Sequence, residues 1–259
     1  MNDNVTEPEI LTRVSQAFSD VVEYFTRQDD SLSEKERLDR YEAAKALIIA
    51  NPSVAVSFLG DQFENPAFIV KEAAYDLLIS LGQQAVDSIK AVLDEKGERA
   101  QLWMTSVLHY HHDFSRITIF EKLLSSSEPY IRHLTGLATV FQGLAKQVDS
   151  NQLMADLIDS LMSEDKIENG SFFVADSGLS CITLLTGKRL TAAQKEKVEF
   201  YNFSHYLFEP PVHPFPYTSD RFTIFPVPER QKIASEIANW WLENRDTFAF
   251  AEVPGCFDY

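Results

Sequence analysis

The feature that most constrains this chain is a repeat. The stretch EAAKALIIANPSVAVSFL, which begins at Glu42, aligns without a gap on EAAYDLLISLGQQAVDSI, which begins at Glu72. The pattern returns in LWMTSVLHYHHDFSRITIF from Leu102 and in HLTGLATVFQGLAKQV from His133, so the units follow one another at offsets of 30, 30 and 31 residues. Each reads as two short amphipathic helices, broken at Asn51-Pro52 in the first unit and at Gly82 in the second. A helix pair this short cannot hide its own apolar stripe, so neighbouring pairs must stack and share one core. A fifth unit follows: NQLMADLIDSLMSED closes the fourth pair and FFVADSGLSCITLLTG opens the next. The expected fold class is all-α.

Other sequence signals agree. Only nine glycines are present, too few for an all-β protein with many tight turns. Near the start, Ile10, Leu11, Val14, Phe18, Val21, Val22 and Phe25 recur on one helical face. Thr6 with Glu9 forms a capping-box pattern, and Pro8 stands in the first turn, where its missing N–H is tolerated. A polar stretch, RQDDSLSEKER, separates this helix from the repeats.

The helix-pair period, the Ala-rich first helices, and the segments VKEAAYDLL and IRHLTGLATV resemble HEAT-type repeats of the armadillo-type class over residues 39–187. In addition, ITLLTG (182–187) and NWWLENR (239–245) are similar to the closing helices of bacterial HEAT-like proteins, where a Leu-Thr-Gly turn precedes a helix with paired tryptophans. The resemblance implies a right-handed α-solenoid forming a single domain over residues 1–259. Its parts are an N-terminal helix (1–30), the repeats (39–187), an insertion (188–228), a capping helix (229–246) and a tail (247–259). The turn and the tryptophan helix are usually close, whereas here Gly187 and Trp240 are 53 positions apart. The intervening segment therefore reads as an insertion in the terminal repeat, after which Ile233, Ile237, Trp240 and Trp241 supply the apolar face of the capping helix.

That insertion contains FEPPVHPFPYTSDRFTIFPVP (208–228). Six of the eleven prolines fall between Pro210 and Pro228, a density that forbids a continuous helix and favours extended backbone. Nine aromatic residues lie between Phe200 and Phe225, more than a disordered linker would carry. Two readings stand: the rings close the open end of the repeat core, or some of them, Phe208, Phe215, Tyr217 and Phe222 with His213, face a partner as rigid anchors.

Charge narrows the function classes. The formal net charge is -16, and residues 1–100 hold 19 acids against 10 bases while the rest hold 20 against 13, so the acidity is spread along the chain. Such a field repels phosphate backbones, so no nucleic-acid partner is expected; it serves solubility alone or favours a basic protein partner. No apolar run approaches the roughly 20 residues of a membrane span, and no membrane partner is expected. MNDNVTEPEILT lacks the features of a secretory signal, which makes a cytoplasmic location the expectation. Two cysteines, Cys181 and Cys256, are too few for a disulfide framework.

Catalytic motifs are scarce. The chain has no Gly-rich phosphate loop, no H-E-x-x-H, no C-x-x-C and no G-x-S-x-G, and GLSC (178–181) lacks the second glycine of the last. HYHHDF (109–114) offers His109, His112 and Asp113 at i, i+3 and i+4, a spacing that puts metal ligands on one helical face, although histidines also suit a helix C-terminus. His133, at a repeat-equivalent position, reads as a packed or groove-lining residue. On NQLMADLIDSLM the apolar set Leu153, Met154, Leu157, Ile158, Leu161 and Met162 faces inward and leaves Asp156 and Asp159 outward, as a solvated face or as a docking surface for a basic ligand. The expected role is a non-catalytic scaffold without cofactor, such as an immunity or adaptor protein that binds a basic protein. The alternative from another class is a lyase-like or metal-dependent HEAT-repeat enzyme acting on a bulky ligand.

Overall fold

A computed structural model describes residues 6–26, 32–167, 173–187 and 222–253 of the chain. Phe208, His213, Phe215, Tyr217 and Cys256 lie outside the described residues. Among those described, the extended elements are helices: α1 (Glu7–Thr26), α2 (Glu34–Ile49), α3 (Pro52–Asp61), α4 (Phe68–Ser80), α5 (Gln83–Val92), α6 (Glu98–Tyr110), α7 (Thr118–Leu123), α8 (Pro129–Phe141), α9 (Ser150–Ser160), α10 (Val174–Thr186) and α11 (Val227–Asn244). The fold is all-α, with a lone antiparallel bridge between Lys166 and Phe173 as the extended pairing among the described residues. None of these helices alone is long and apolar enough to cross a membrane.

Local chemistry sets the helix ends. Glu9 accepts hydrogen bonds from the Thr6 amide (2.8 Å) and hydroxyl (2.9 Å) at the start of α1. A second, reciprocal capping box opens α2, where Ser33 and Glu36 exchange side-chain and backbone bonds. Asn51-Pro52 separates α2 from α3, with Pro52 at the tolerant first position. Gly82 (φ 62°) divides α4 from α5, and Gly187 (φ 61°) ends α10 in the left-handed conformation that glycine adopts without steric cost.

The chain divides into two compact units at Arg116/Ile117. In the first, α2 packs on α4 and α4 on α6, while α3 packs on α5. Alternate helices thus meet as well as consecutive ones, and α1 covers α2, α3 and α4. Its core is a set of rings, with Phe63 stacked on Trp103 (5.3 Å) and Tyr75 set edge-on to the same indole (5.4 Å). Every residue of α6 from Ala100 to His109 is buried, so this helix is enclosed on all sides. On α1, Val14, Phe18 and Val21 are buried, whereas Leu11 and Phe25 stay partly exposed at 43% and 38%.

The second unit repeats the scheme. There α8 packs on α7, α9 and α10, and α9 in turn packs on α10 and α11. Of α10 only Leu184 escapes full burial. Ile233, Ile237 and Trp241 of α11 are buried, Trp240 is half-buried, and the chain after α11 returns so that Phe250 stacks on Trp241 (5.7 Å). The Ala251 amide donates to the Leu185 carbonyl at 2.7 Å and fixes that return.

Small residues set the helix separations. A Cβ on Gly178 of α10 would fall on the Ser160 hydroxyl of α9 and meet the Leu157 carbonyl at 3.4 Å, whereas one on Gly136 of α8 would find the Leu157 side chain at an ordinary 3.5 Å. Gly178→Ala is therefore expected to cost about 1–3 kcal/mol through overpacking. Gly136→Ala is expected to be neutral or slightly stabilising because alanine is the better helix former. Thermal denaturation of the two variants beside the parent checks the contrast.

Candidate functional site

Among the described residues of the second unit, a set of interacting charged groups lies where α8 meets α9. Pro129 starts α8, which places Arg132 and His133 in its first turns, and Asp149 caps α9 by accepting the Gln152 amide at 2.7 Å. Gln152 and Asp156 are one turn apart, and the Gln152 amide group bonds both Asp156 Oδ2 and the Leu124 carbonyl at 3.1 Å. Asp159, three residues further on, shares that face of α9.

Arg132 links the two carboxylates. Its Nη1 donates to the Ser126 carbonyl at 2.9 Å, its Nε lies 3.5 Å from Asp156 Oδ1, and its Nη2 donates to Asp159 Oδ2 at 3.3 Å. His133 Nε2 reaches the same Asp159 Oδ2 at 2.9 Å. The side chains differ sharply in exposure: His133 is 5% and Asp156 6% exposed, whereas Asp159 is 57% exposed. The His133 Nδ1 is buried and has no hydrogen-bond partner among the described residues. Among the described residues His133 bonds to no serine, threonine or cysteine.

Burial raises the pKa of the Asp156 carboxyl, partly offset by the Gln152 hydrogen bond and the neighbouring Arg132 and His133, while Asp159 adds to the rise. The outward placement expected for Asp156 is corrected here. It turns back beneath Arg132 and Gln152, because α8 brings a cation to that face of α9. Asp159, one step round the helix, keeps the solvent-facing position.

HYHHDF does not form a shared helical face. The helix α6 ends at Tyr110, and His112 takes a left-handed backbone (φ 57°). The last turn therefore separates the three side chains. His109 is buried and stacks on Phe114 (5.3 Å), His112 is exposed, and Asp113 binds Lys90 Nζ at 2.7 Å and caps the Ser115 amide at 3.0 Å. Lys90 and Ser115 hold the Asp113 pKa down at about 2. Among the described residues no group of three or more His, Cys, Asp or Glu side chains is arranged to hold a metal ion.

Phe222 is 2% exposed and belongs to the core, so it is not a ring presented to a partner. Its neighbour Thr223 explains the seat: the Thr223 amide (2.7 Å) and hydroxyl (3.2 Å) both donate to Asp176 in the first turn of α10. Sequence reasoning singled out neither Asp176 nor Arg230, a 3% exposed arginine on α11 whose guanidinium pairs with Glu164. Cys181 is buried and its thiol pKa is pushed up by desolvation, which makes it unreactive.

No protein-family model, curated protein or solved structure matches the chain.

Two pH dependences follow. Asp113 has a depressed pKa in the folded state, so its stabilising contribution is present above its ordinary 3.8 and is lost as pH falls towards about 2. Asp113→Asn is thus expected to lower the melting temperature at pH 7, with the deficit closing on acidification through that window. Asp156 has a raised pKa, so its contribution is complete below 3.8 and declines as pH rises through the elevated value. Asp156→Asn should gain on the parent as pH increases from 3.5 to 7. Melting curves of both variants over pH 2–7 measure both trends.

Proposed function

We propose that this chain is a HEAT-like, right-handed α-solenoid that acts as a non-catalytic scaffold and docks a basic protein. The packing of alternate helices within each unit, α2 on α4 on α6 and α8 on α10, supports the solenoid reading. The docking reading rests on where the cations are. Arg40 is engaged by Asp20 and Glu23, Lys96 by Asp61, Lys90 by Asp113, Arg116 by Asp94, Arg132 by Asp156 and Asp159, and Arg230 by Glu164.

These pairs engage six of the 23 lysines and arginines with acids of the same chain. Of the acids that remain, Glu34, Asp39 and Glu42 on α2 and Glu243 on α11 are exposed. With a net charge of -16, the surface carries a field that accelerates the approach of a cationic partner and selects against anionic ones. An immunity or adaptor protein that masks a basic toxin or enzyme is the concrete form of this role.

The experiment is affinity capture at low ionic strength, followed by kinetics with the purified partner. The expected partner is basic, and its association rate falls steeply as salt rises from about 0.05 to 0.5 M, because screening shortens the reach of surface charge. A neutral or acidic partner whose association is indifferent to salt contradicts the proposal.

A further inference from the structure

We infer that the turn between α6 and α7 is a proton-operated catch: the neutral His111 ring fastens the end of α6 to the end of α4, and a proton on that ring releases the turn. This device is independent of the docking role.

His111 closes α6. Its amide donates to the Val107 (3.2 Å) and Leu108 (3.0 Å) carbonyls, and the Asp113 amide returns to the Leu108 carbonyl at 2.9 Å, so the chain wraps round this residue before α7 begins. The ring is bonded to the Ile79 backbone in the last turn of α4 and stands edge-on to Tyr110 at 5.3 Å. Its Nε2 is buried and has no hydrogen-bond partner among the described residues. The bond to Ile79 therefore belongs to Nδ1, which donates to the carbonyl, and the ring is the neutral tautomer with a bare Nε2.

That seat suits only an uncharged ring. A proton on Nε2 would put a donor and a positive charge where no acceptor lies among the described residues. Such a group either costs the fold its desolvation or turns out into water, and turning out breaks the bond to Ile79. The charged group that acts on the ring is His112, which opposes a second cation beside it. Other ionisable groups about the turn are engaged elsewhere. Asp113 is held by Lys90 (2.7 Å) and Arg116 by Asp94 (3.4 Å), Asp87 of α5 lies 3.8 Å from Lys90, and Asp76, one turn before Ile79 on α4, lies 3.9 Å from Lys45. His109 is buried against Phe114.

The backbone is set to respond. His112 holds a left-handed conformation (φ 57°) that a residue with a Cβ adopts at a cost, so the turn keeps it only while its surroundings are fastened. Both His112 and Phe114 are exposed on this turn, which puts the change at the surface.

The direction of the response follows from linkage. Burial and His112 lower the His111 pKa below its ordinary 6.5, and the bond to Ile79 offsets part of that. A depressed folded-state value means that the catch contributes fully above 6.5 and is lost as pH falls through the lower value. Between the two values the opening equilibrium of the turn rises by about tenfold per pH unit, and below the lower one it levels off.

The test is amide hydrogen exchange of the full chain from pH 8 to 5, corrected for the intrinsic pH dependence of exchange and read by NMR beside the His111 ring nitrogens. The expected result is a ring that titrates below 6.5 from the Nδ1-protonated neutral form, with the opening of the His111, His112 and Asp113 amides rising through the same window while Val56 and Leu59 in α3 stay constant. His111→Gln keeps a donor for the Ile79 carbonyl but takes up no proton, so its turn should remain closed at pH 5. A ring that titrates at or above 6.5, turn amides that open equally at pH 5 and pH 8, or a rise that persists in His111→Gln overturns the inference. The first two outcomes are read on the parent alone and decide the matter even where the variant fails to fold.

Discussion

Helices of ten to thirteen residues cannot support themselves in water, and this constraint governs everything else in the chain. Nucleating a helix is unfavourable and each added hydrogen bond returns little, so isolated helices shorter than about 12–15 residues are marginal. From α3 to α10 none exceeds 13 residues. Their stability comes from burial against neighbours, seen in α6, where Ala100 to His109 are all enclosed. Close approach is part of the same solution: Gly178 lets α10 settle against Ser160 and the Leu157 carbonyl of α9.

Interiors built this way have few places for charge, and the polar groups are sorted accordingly. Bases are tied to acids between elements, as Lys96 is to Asp61 and Arg230 to Glu164. A buried cation without its partner would be costly, whereas a surplus carboxylate can stay in water. The junction of α8 and α9 shows both outcomes three residues apart, with Asp156 enclosed and Asp159 in solvent.

Much of this scaffold is legible in the amino-acid sequence, because the signals are local. Asn51-Pro52, Gly82 and Gly187 mark breaks by backbone chemistry alone, and the S-x-x-E pattern at Ser33 was available as a start signal inside a stretch that reads merely as polar. The site is less legible. Asp156 and Asp159 both lie off the apolar stripe of α9, and their different fates depend on Arg132, which comes from another helix. HYHHDF has the spacing of a metal face, but the spacing has meaning only while the helix continues, and α6 stops at Tyr110. Phe222 is one ring among nine between Phe200 and Phe225. Its burial is set by Thr223 and the distant Asp176, which no local pattern reveals.

The most direct test of this dependence on neighbours is far-UV circular dichroism of a peptide spanning residues 129–160, α8 with α9, at neutral pH and in the absence of helix-promoting solvent. The account predicts a spectrum with little helix and no cooperative melting, although residues 129–141 and 150–160 are helical in the intact chain. A peptide that is fully helical and melts cooperatively by itself would contradict it, since a single hairpin would then need no shared core.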